Sequence, residues 1–70
     1  IKASYYVNRQ AQANGDHEVH KEIGCPTPAA SHNRQPLGEH SSCAGAVQAA
    51  RRYYSQVNGC AHCSPACHTG

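Results

Sequence analysis

The sequence predicts a small α+β domain in which two or three short antiparallel strands pack on one helix and a metal site staples them together. Three observations lead to this prediction. The chain has only 70 residues, strand-like segments near its start precede a single helical pattern, and its cysteines and histidines have metal-ligand spacing. We expect one domain over residues 1–70, with 1–3 and 68–70 as flexible ends.

The large apolar side chains are too few for an unaided core. The chain has no Phe, Trp or Met, and its large aliphatic residues are two Ile, one Leu and four Val. Alanine, with eleven copies, gains little on burial because the transfer free energy scales with apolar area. A chain of this size therefore needs a metal ion, disulfides or oligomerisation for stability.

The charge and cysteine content limit the partners. A net charge of +2 supports nucleic acid only weakly, so an unknown protein partner or self-assembly is favoured. No apolar run is long enough to cross a membrane, and no membrane partner is expected. Five cysteines cannot all pair within one chain. A metal site indicates a cytoplasmic protein, whereas a dominant disulfide framework indicates a secreted one.

The first half of the chain predicts strands. Residues 4–8, SYYVN, are β-formers closed by a polar residue, and Asn14-Gly15 is a strong turn signal. Residues 26–36 hold three of the four prolines and are expected to form a loop. Residues 37–40 are expected to form a brief return strand.

The segment HEVHKEIGC, which follows the Asn-Gly turn, is also expected to begin as a strand. In extended geometry, His17 and Val19 share one face of the strand, while Glu18 and His20 share the other.

The pattern becomes helical after Ser41-Ser42, which is a candidate N-cap. Apolar residues then recur at three- and four-residue steps, which indicates one buried stripe. Asn58-Gly59 suits a C-cap. We therefore expect a helix from about Ser42 to Asn58, with Cys60 directly after it. The stripe consists of Cys43, Ala46, Val47, Ala50, Tyr54 and Val57.

Two short segments supply the ligands of a structural zinc site. Such a site needs four soft or borderline ligands in a tetrahedron, usually as two close pairs. Cys60 and Cys63 form one C-x-x-C pair, and His20 and Cys25 form a second, with Gly24 allowing a tight turn between them. The predicted Cys₃His zinc site joins the end of the second strand to the turn after the helix. It leaves no open position for water, so no enzyme activity is expected.

The segments EVHKEIGC and NRQPLGEHSSCAGAVQAARRYYSQVNGCAHC resemble the small zinc-binding module of the Ada type. That module opens the bacterial DNA methyl-phosphotriester repair protein, and related copies occur as tails of secreted thermonuclease-like proteins. The resemblance covers about residues 18–63, and Cys43 and the tail SPACHTG lie outside its pattern. The whole chain more closely resembles short bacterial Cys/His-rich proteins of unassigned function. The zinc ligands that the Ada-type resemblance implies are His20, Cys25, Cys60 and Cys63.

The roles of Cys43, Cys67 and His68 are left open between alternatives. Cys43 is either a buried free thiol or the disulfide partner of Cys67, in which case the bridge ties the start of the helix to the tail. His68 is an alternative to His20 as the fourth metal ligand. If disulfides dominate, the alternative function is a secreted, disulfide-stapled structural or surface-assembly protein.

Two kinds of redox protein are less favoured. Cys63, Cys67 and His68 form a C-x-x-x-C-H variant of the c-type haem motif, but the chain supplies few residues for an apolar haem pocket. A redox-active C-x-x-C normally starts a helix, where the dipole stabilises the thiolate. Cys60 is instead expected to follow a helix end.

Overall fold

The chain forms a four-stranded mixed sheet with one helix packed against it, which confirms the α+β class. The computed structural model describes residues 1–69; the last residue of the predicted flexible end, Gly70, lies outside this range. The elements are β1 (Ala3–Asn8), β2 (His17–Lys21), a 3₁₀ helix (Ser31–Asn33), β3 (Arg34–His40), α1 (Cys43–Ala50), β4 (Val57–Gly59) and a second 3₁₀ helix (Pro65–Cys67).

The strands lie in the order β3-β1-β2-β4. β1 pairs antiparallel with β2, with Tyr5 opposite Lys21 and Val7 opposite Val19. It also pairs antiparallel with β3, with a register shift between Tyr5 and Tyr6. β2 pairs with β4 in the parallel direction. The sheet thus contains the expected antiparallel strands and also a parallel strand, β4, which the sequence did not predict.

The predicted helix bounds, Ser42 to Asn58, are wrong at the C-terminal end. Ser42 is the N-cap, but α1 ends at Ala50, and the expected C-cap pair Asn-Gly lies inside β4. The Ala- and Gly-rich segment is helical, whereas the aromatic and β-branched residues after it suit extended structure. Tyr54 stacks on His17 of β2, with 3.7 Å between ring centroids and 9° between planes. Pairing with β2 therefore overrides continuation of the helix.

The proline-rich segment 26–36 is not entirely a loop. It contains the first 3₁₀ helix, and β3 begins at Arg34, so the return strand is longer than the expected 37–40. Pro36 lies within β3, which is an edge strand because only β1 pairs with it. An edge position tolerates proline because its missing N–H need not face a neighbouring strand.

The two faces of the sheet are buried in different ways. One face packs on α1 and forms a small apolar core. On the other face, Tyr6 and His20 lie opposite each other on β1 and β2 and are only 2% and 1% exposed. Within residues 1–69 no α-helix packs on this second face, which is covered by the chain around the cysteine cluster. The apolar core consists of Tyr5, Val7, Val19, Cys43, Ala46 and Ala50.

A disulfide joins Cys43, at the start of α1, to Cys67 in the second 3₁₀ helix, with Cα atoms 6.2 Å apart. The tail packs closely on β4 at this point. A Cβ built on Gly59 would lie 2.7 Å from the Cβ of Cys67, so this position requires glycine. Among the described residues, no helix is long and apolar enough to cross a membrane.

Candidate metal centre

The four predicted zinc ligands lie together at one edge of the sheet. β2 and β4 are adjacent and parallel, so their carboxyl ends meet at the same edge. His20 is near the end of β2, and Cys60 follows β4 directly. Cys25 lies in the loop after β2, and Cys63 lies in the turn after Cys60. The strand pairing therefore brings together two segments that are distant in the sequence.

The ligand atoms have the spacing of a tetrahedral metal site. One atom from each of the four residues lies within 4.8 Å of all the others. Cys25 Sγ lies 3.4 Å from His20 Nδ1 and 3.8 Å from Cys60 Sγ, and Cys63 Sγ lies 3.8 Å from His20 Nδ1. Ligands of a tetrahedral zinc ion are about 3.8 Å apart for two sulfurs and about 3.6 Å for sulfur and nitrogen. These four residues can therefore hold a metal ion.

Backbone hydrogen bonds fix the C-x-x-C turn. The Cys60 amide donates to the Val19 carbonyl over 2.9 Å, which anchors the turn to β2. The Ser64 amide donates to the Cys60 carbonyl over 2.8 Å and closes the turn. The Lys21 amide donates to Cys63 Sγ over 3.3 Å. Such an N–H stabilises negative charge on the sulfur, and this favours a bound thiolate.

The His20 ring is held between a carboxylate and an aromatic ring. Its Nδ1 faces the cysteines, and its Nε2 lies 3.5 Å from Glu18 Oε1. The ring of Tyr6 stacks on it, with centroids 5.2 Å apart and planes at 25°. A carboxylate on the far nitrogen fixes the tautomer and raises the basicity of the nitrogen that binds metal. Glu18 and Tyr6 thus orient His20 for binding through Nδ1.

The loop over Tyr6 is tied down by two polar contacts. The Ala29 amide donates to the Tyr6 hydroxyl over 3.0 Å, and Arg34 Nε donates to the Ala29 carbonyl over 2.9 Å. The Arg34 guanidinium also lies 4.8 Å from the centre of the Tyr6 ring, within the range of a cation–π contact. Burial raises the pKa of Tyr6, partly offset by the Ala29 amide and Arg34. The ring under His20 therefore stays neutral.

Burial lowers the pKa of His20, because the charged imidazolium loses its hydration. Glu18 opposes this change in pKa, while Arg34 adds to it. The neutral imidazole is the form that binds metal ions. The surroundings of His20 thus favour the protonation state that a ligand needs.

The pKa values of the Cys63 and Cys25 thiols shift in opposite directions. Burial, together with a hydrogen bond to Cys25, raises the pKa of Cys63 to about 12. Burial also acts to raise the pKa of Cys25, but hydrogen bonds from Cys63 and Thr27 outweigh it and lower that pKa. Cys63 therefore holds its proton more strongly than Cys25 does. A bound cation would remove the Cys63 proton, since coordinating thiols are deprotonated outright.

The remaining cysteine and histidine of the tail lie outside the cluster. Cys67 is bonded to Cys43, so the disulfide alternative for Cys43 is the one observed. His68 Nδ1 lies 3.0 Å from the Gly59 carbonyl, and it is His20 that lies among the three thiols. The C-x-x-x-C-H haem motif is divided, because Cys63 belongs to the cluster and its second cysteine to the disulfide.

The C-x-x-C pair follows a strand and not the helix end that was expected. Cys60 follows a strand rather than a helix end, so the helix dipole gives no reason to disfavour its thiolate. The relevant observation is instead that Cys60 and Cys63 lie beside His20 and Cys25. The pair is half of a four-residue cluster.

Several residues around the cluster were not singled out from the sequence. The alternation that places Glu18 and His20 on one face of β2 contained the signal for the carboxylate–histidine contact. Tyr6 and Arg34 carried no such signal, because they approach His20 through strand pairing and through the fold of the 26–36 segment.

Comparisons of the chain with protein-family models, with curated proteins and with solved structures gave no match.

Proposed function

We propose that the chain is a small, non-catalytic module whose fold is held by a structural zinc ion and which serves as a binding or interaction domain. The observation that carries this proposal is the mutual spacing of His20, Cys25, Cys60 and Cys63. The ion would bind beside the second face of the sheet, where Tyr6 and His20 are buried but lie outside the apolar core.

The donor set favours zinc over magnesium and calcium. Three thiolates and one imidazole suit zinc, whereas magnesium and calcium select oxygen ligands. The site would carry a net charge of −1, and four protein ligands would leave no position for a catalytic water. The resemblance to the Ada-type module supports the same four ligands. A protein partner or self-assembly is the favoured target, with nucleic acid the weaker alternative.

Removal of the metal tests this proposal directly. Binding energy at a structural zinc site is folding energy, so a strong chelator should unfold the chain. The expected result is loss of the far-ultraviolet circular dichroism signal when elemental analysis shows that zinc has been removed. Returning one equivalent of zinc should restore the signal.

Two variants make the test specific. Cys60→Ser removes a buried ligand and should abolish stoichiometric zinc binding. His62→Ala removes an exposed side chain that lies inside the C-x-x-C but outside the cluster, and it should bind zinc as the wild type does. An unchanged circular dichroism spectrum after verified metal removal would contradict the proposal.

The Cys43–Cys67 disulfide favours a second candidate function, a secreted disulfide-stapled structural or surface-assembly protein. Intact mass spectrometry separates the two candidates. The zinc module should show one zinc ion under native conditions and lose about two mass units for a single disulfide under denaturing conditions. A second disulfide with no bound zinc, together with concentration-dependent assembly in sedimentation experiments, would favour the alternative.

A further inference from the structure

Cys25 differs from the other two thiols in its attachment to the fold. Cys60 is 1% exposed, and the backbone hydrogen bonds of its turn hold it in place. Cys25 is half-buried in a loop whose neighbouring residues, 21–24 and 26–28, are all exposed. Even a Cβ built on Gly24 would meet nothing within 4 Å. Cys63 is half-buried like Cys25, but the Lys21 amide donates to its sulfur and the next residue, Ser64, is buried. A small molecule can therefore approach Cys25 with less displacement of packed groups.

The position of Cys60 suits attack on a modified Cys25. The two sulfur atoms are 3.8 Å apart, whereas a disulfide bond is about 2.05 Å long. Closing this gap needs a movement of about 1.8 Å, which the exposed loop can supply while the anchored C-x-x-C turn stays in place. The Thr27 hydroxyl lies 3.8 Å from both sulfurs and on the same loop, so it would move with Cys25.

The other two cysteines are already used. Cys43 and Cys67 form a disulfide, and among the described residues the remaining thiols are Cys25, Cys60 and Cys63. A further oxidation of this chain must therefore occur within the metal cluster. The same chain thus holds one oxidised pair and one set of reduced sulfurs.

We propose that the metal centre is opened by low-molecular-weight disulfides, which convert Cys25 and Cys60 to a second disulfide and release the ion. This inference rests on the proposed zinc function. The Cys25 thiolate attacks one sulfur of the small disulfide, forms a mixed disulfide and expels one thiolate. The Cys60 thiolate then attacks the Cys25 sulfur and expels the second thiolate. The two cysteine sulfurs lose two electrons, and the small disulfide gains them.

After this exchange the chain retains only two ligands, His20 and Cys63, which is too few for a stable structural site. The new bridge would link the loop after β2 to the end of β4, the two segments that the metal joined. Excess small thiol would reverse both exchange steps and restore the four-ligand set.

The test uses the zinc-loaded full chain and oxidised glutathione. Zinc release is followed with a chromogenic indicator, and the products are identified by mass spectrometry after alkylation and proteolysis. The expected result is one zinc released and two reduced glutathione molecules formed per chain, with Cys25 linked to Cys60 and Cys43 still linked to Cys67. Full retention of zinc, a bridge from Cys63 to either Cys25 or Cys60, or a stable glutathione adduct on Cys25 as the end product would overturn the proposal.

A ligand-conserving variant tests the role of Cys25 as the attacking thiol. Cys25→His keeps four zinc ligands but removes the half-buried loop sulfur, and zinc release by oxidised glutathione should become at least tenfold slower. The control is Ile23→Ala, which truncates an 87%-exposed side chain in the same loop and should leave the rate unchanged. Release from Cys25→His at the wild-type rate would overturn the proposal. If this variant does not hold zinc, the wild-type peptide map alone decides.

The two proposals fail in different ways. A wild-type chain that holds no zinc before glutathione is added would overturn both the zinc function and the redox inference. A chain that holds zinc, unfolds on chelation and keeps its zinc in oxidised glutathione would overturn the redox inference alone.

Discussion

At the residue scale, His20 connects the metal cluster to the sheet. Its Nδ1 faces Cys25 and Cys63, its Nε2 faces Glu18, and its ring stacks on Tyr6. Every side of this imidazole therefore has a partner, although it is almost completely buried. A buried histidine with its nitrogens engaged in this way has a fixed orientation, which is what a metal ligand requires.

Removing the charge on Glu18 should weaken metal binding. Glu18→Gln keeps the size of the side chain but loses the carboxylate beside His20 Nε2, so the imidazole becomes a poorer donor. We expect the zinc dissociation constant to rise about tenfold, as measured by competition with a chromogenic chelator. Glu22→Gln is the control, since Glu22 is exposed and should leave the constant unchanged. Equal constants for Glu18→Gln and the wild type would contradict this assignment.

Gly59 is a second residue whose role is local. Gly59→Ala places a Cβ 2.7 Å from Cys67 Cβ and 2.8 Å from the Cys67 carbonyl carbon. Because backbone must move to relieve this contact, the free energy of unfolding should fall by about 1–3 kcal/mol. Denaturant titration at saturating zinc measures the change. Gly38→Ala is the control for backbone strain alone, because Gly38 has φ +81° and open space around it. Because the φ angle of Gly59 is not positive, an unchanged free energy of unfolding in Gly59→Ala would show that the Cys67 contact is relaxed without cost.

At the element scale, β4 determines where the C-x-x-C lies. It is only three residues long, yet its parallel pairing with β2 places Cys60 beside the end of the strand that carries His20. The second 3₁₀ helix then returns over β4, where the Cys43–Cys67 disulfide ties it to α1. The elements after α1 are thus held by strand pairing on one side and by a covalent bond on the other.

Removing this disulfide should destabilise the fold without removing the metal site. The bridge spans 24 residues, so the double variant Cys43→Ala/Cys67→Ala should lose about 3 kcal/mol of unfolding free energy in the chain-entropy model. Denaturant titration at saturating zinc measures this loss. Zinc stoichiometry should stay at one ion per chain, because neither residue belongs to the cluster. Loss of zinc from the correctly folded double variant would contradict the expectation that the metal site does not depend on the disulfide.

At the scale of the whole molecule, the disulfide and the proposed metal site together take the place of a large apolar core. The disulfide lies on the α1 side of the sheet, where Cys43 is part of the core. The metal cluster lies on the other face, around His20. This division explains how a chain with seven large aliphatic residues can bury both faces of a sheet.

The stability of the whole chain should therefore depend on free zinc. A ligand that binds only the folded state stabilises it by about 1.4 kcal/mol for each tenfold rise in free concentration above the dissociation constant. The thermal midpoint should rise continuously across a series of zinc buffers. Magnesium at the same concentrations should have no effect, since it selects oxygen ligands. A midpoint independent of free zinc would contradict a structural metal.

The sequence by itself determined the α+β class, the first strand and the four residues of the Cys/His cluster, because strand alternation and closely spaced Cys/His pairs are local patterns. It could not determine the end of α1, the parallel strand β4 or the pairing of Cys43 with Cys67. The segment after Ala50 continues the apolar spacing of a helix, yet Tyr54 and Val57 are partly buried against the core as turn and strand. Only the tertiary structure decides this, because the backbone of β2 offers hydrogen bonds to β4 that no local pattern records.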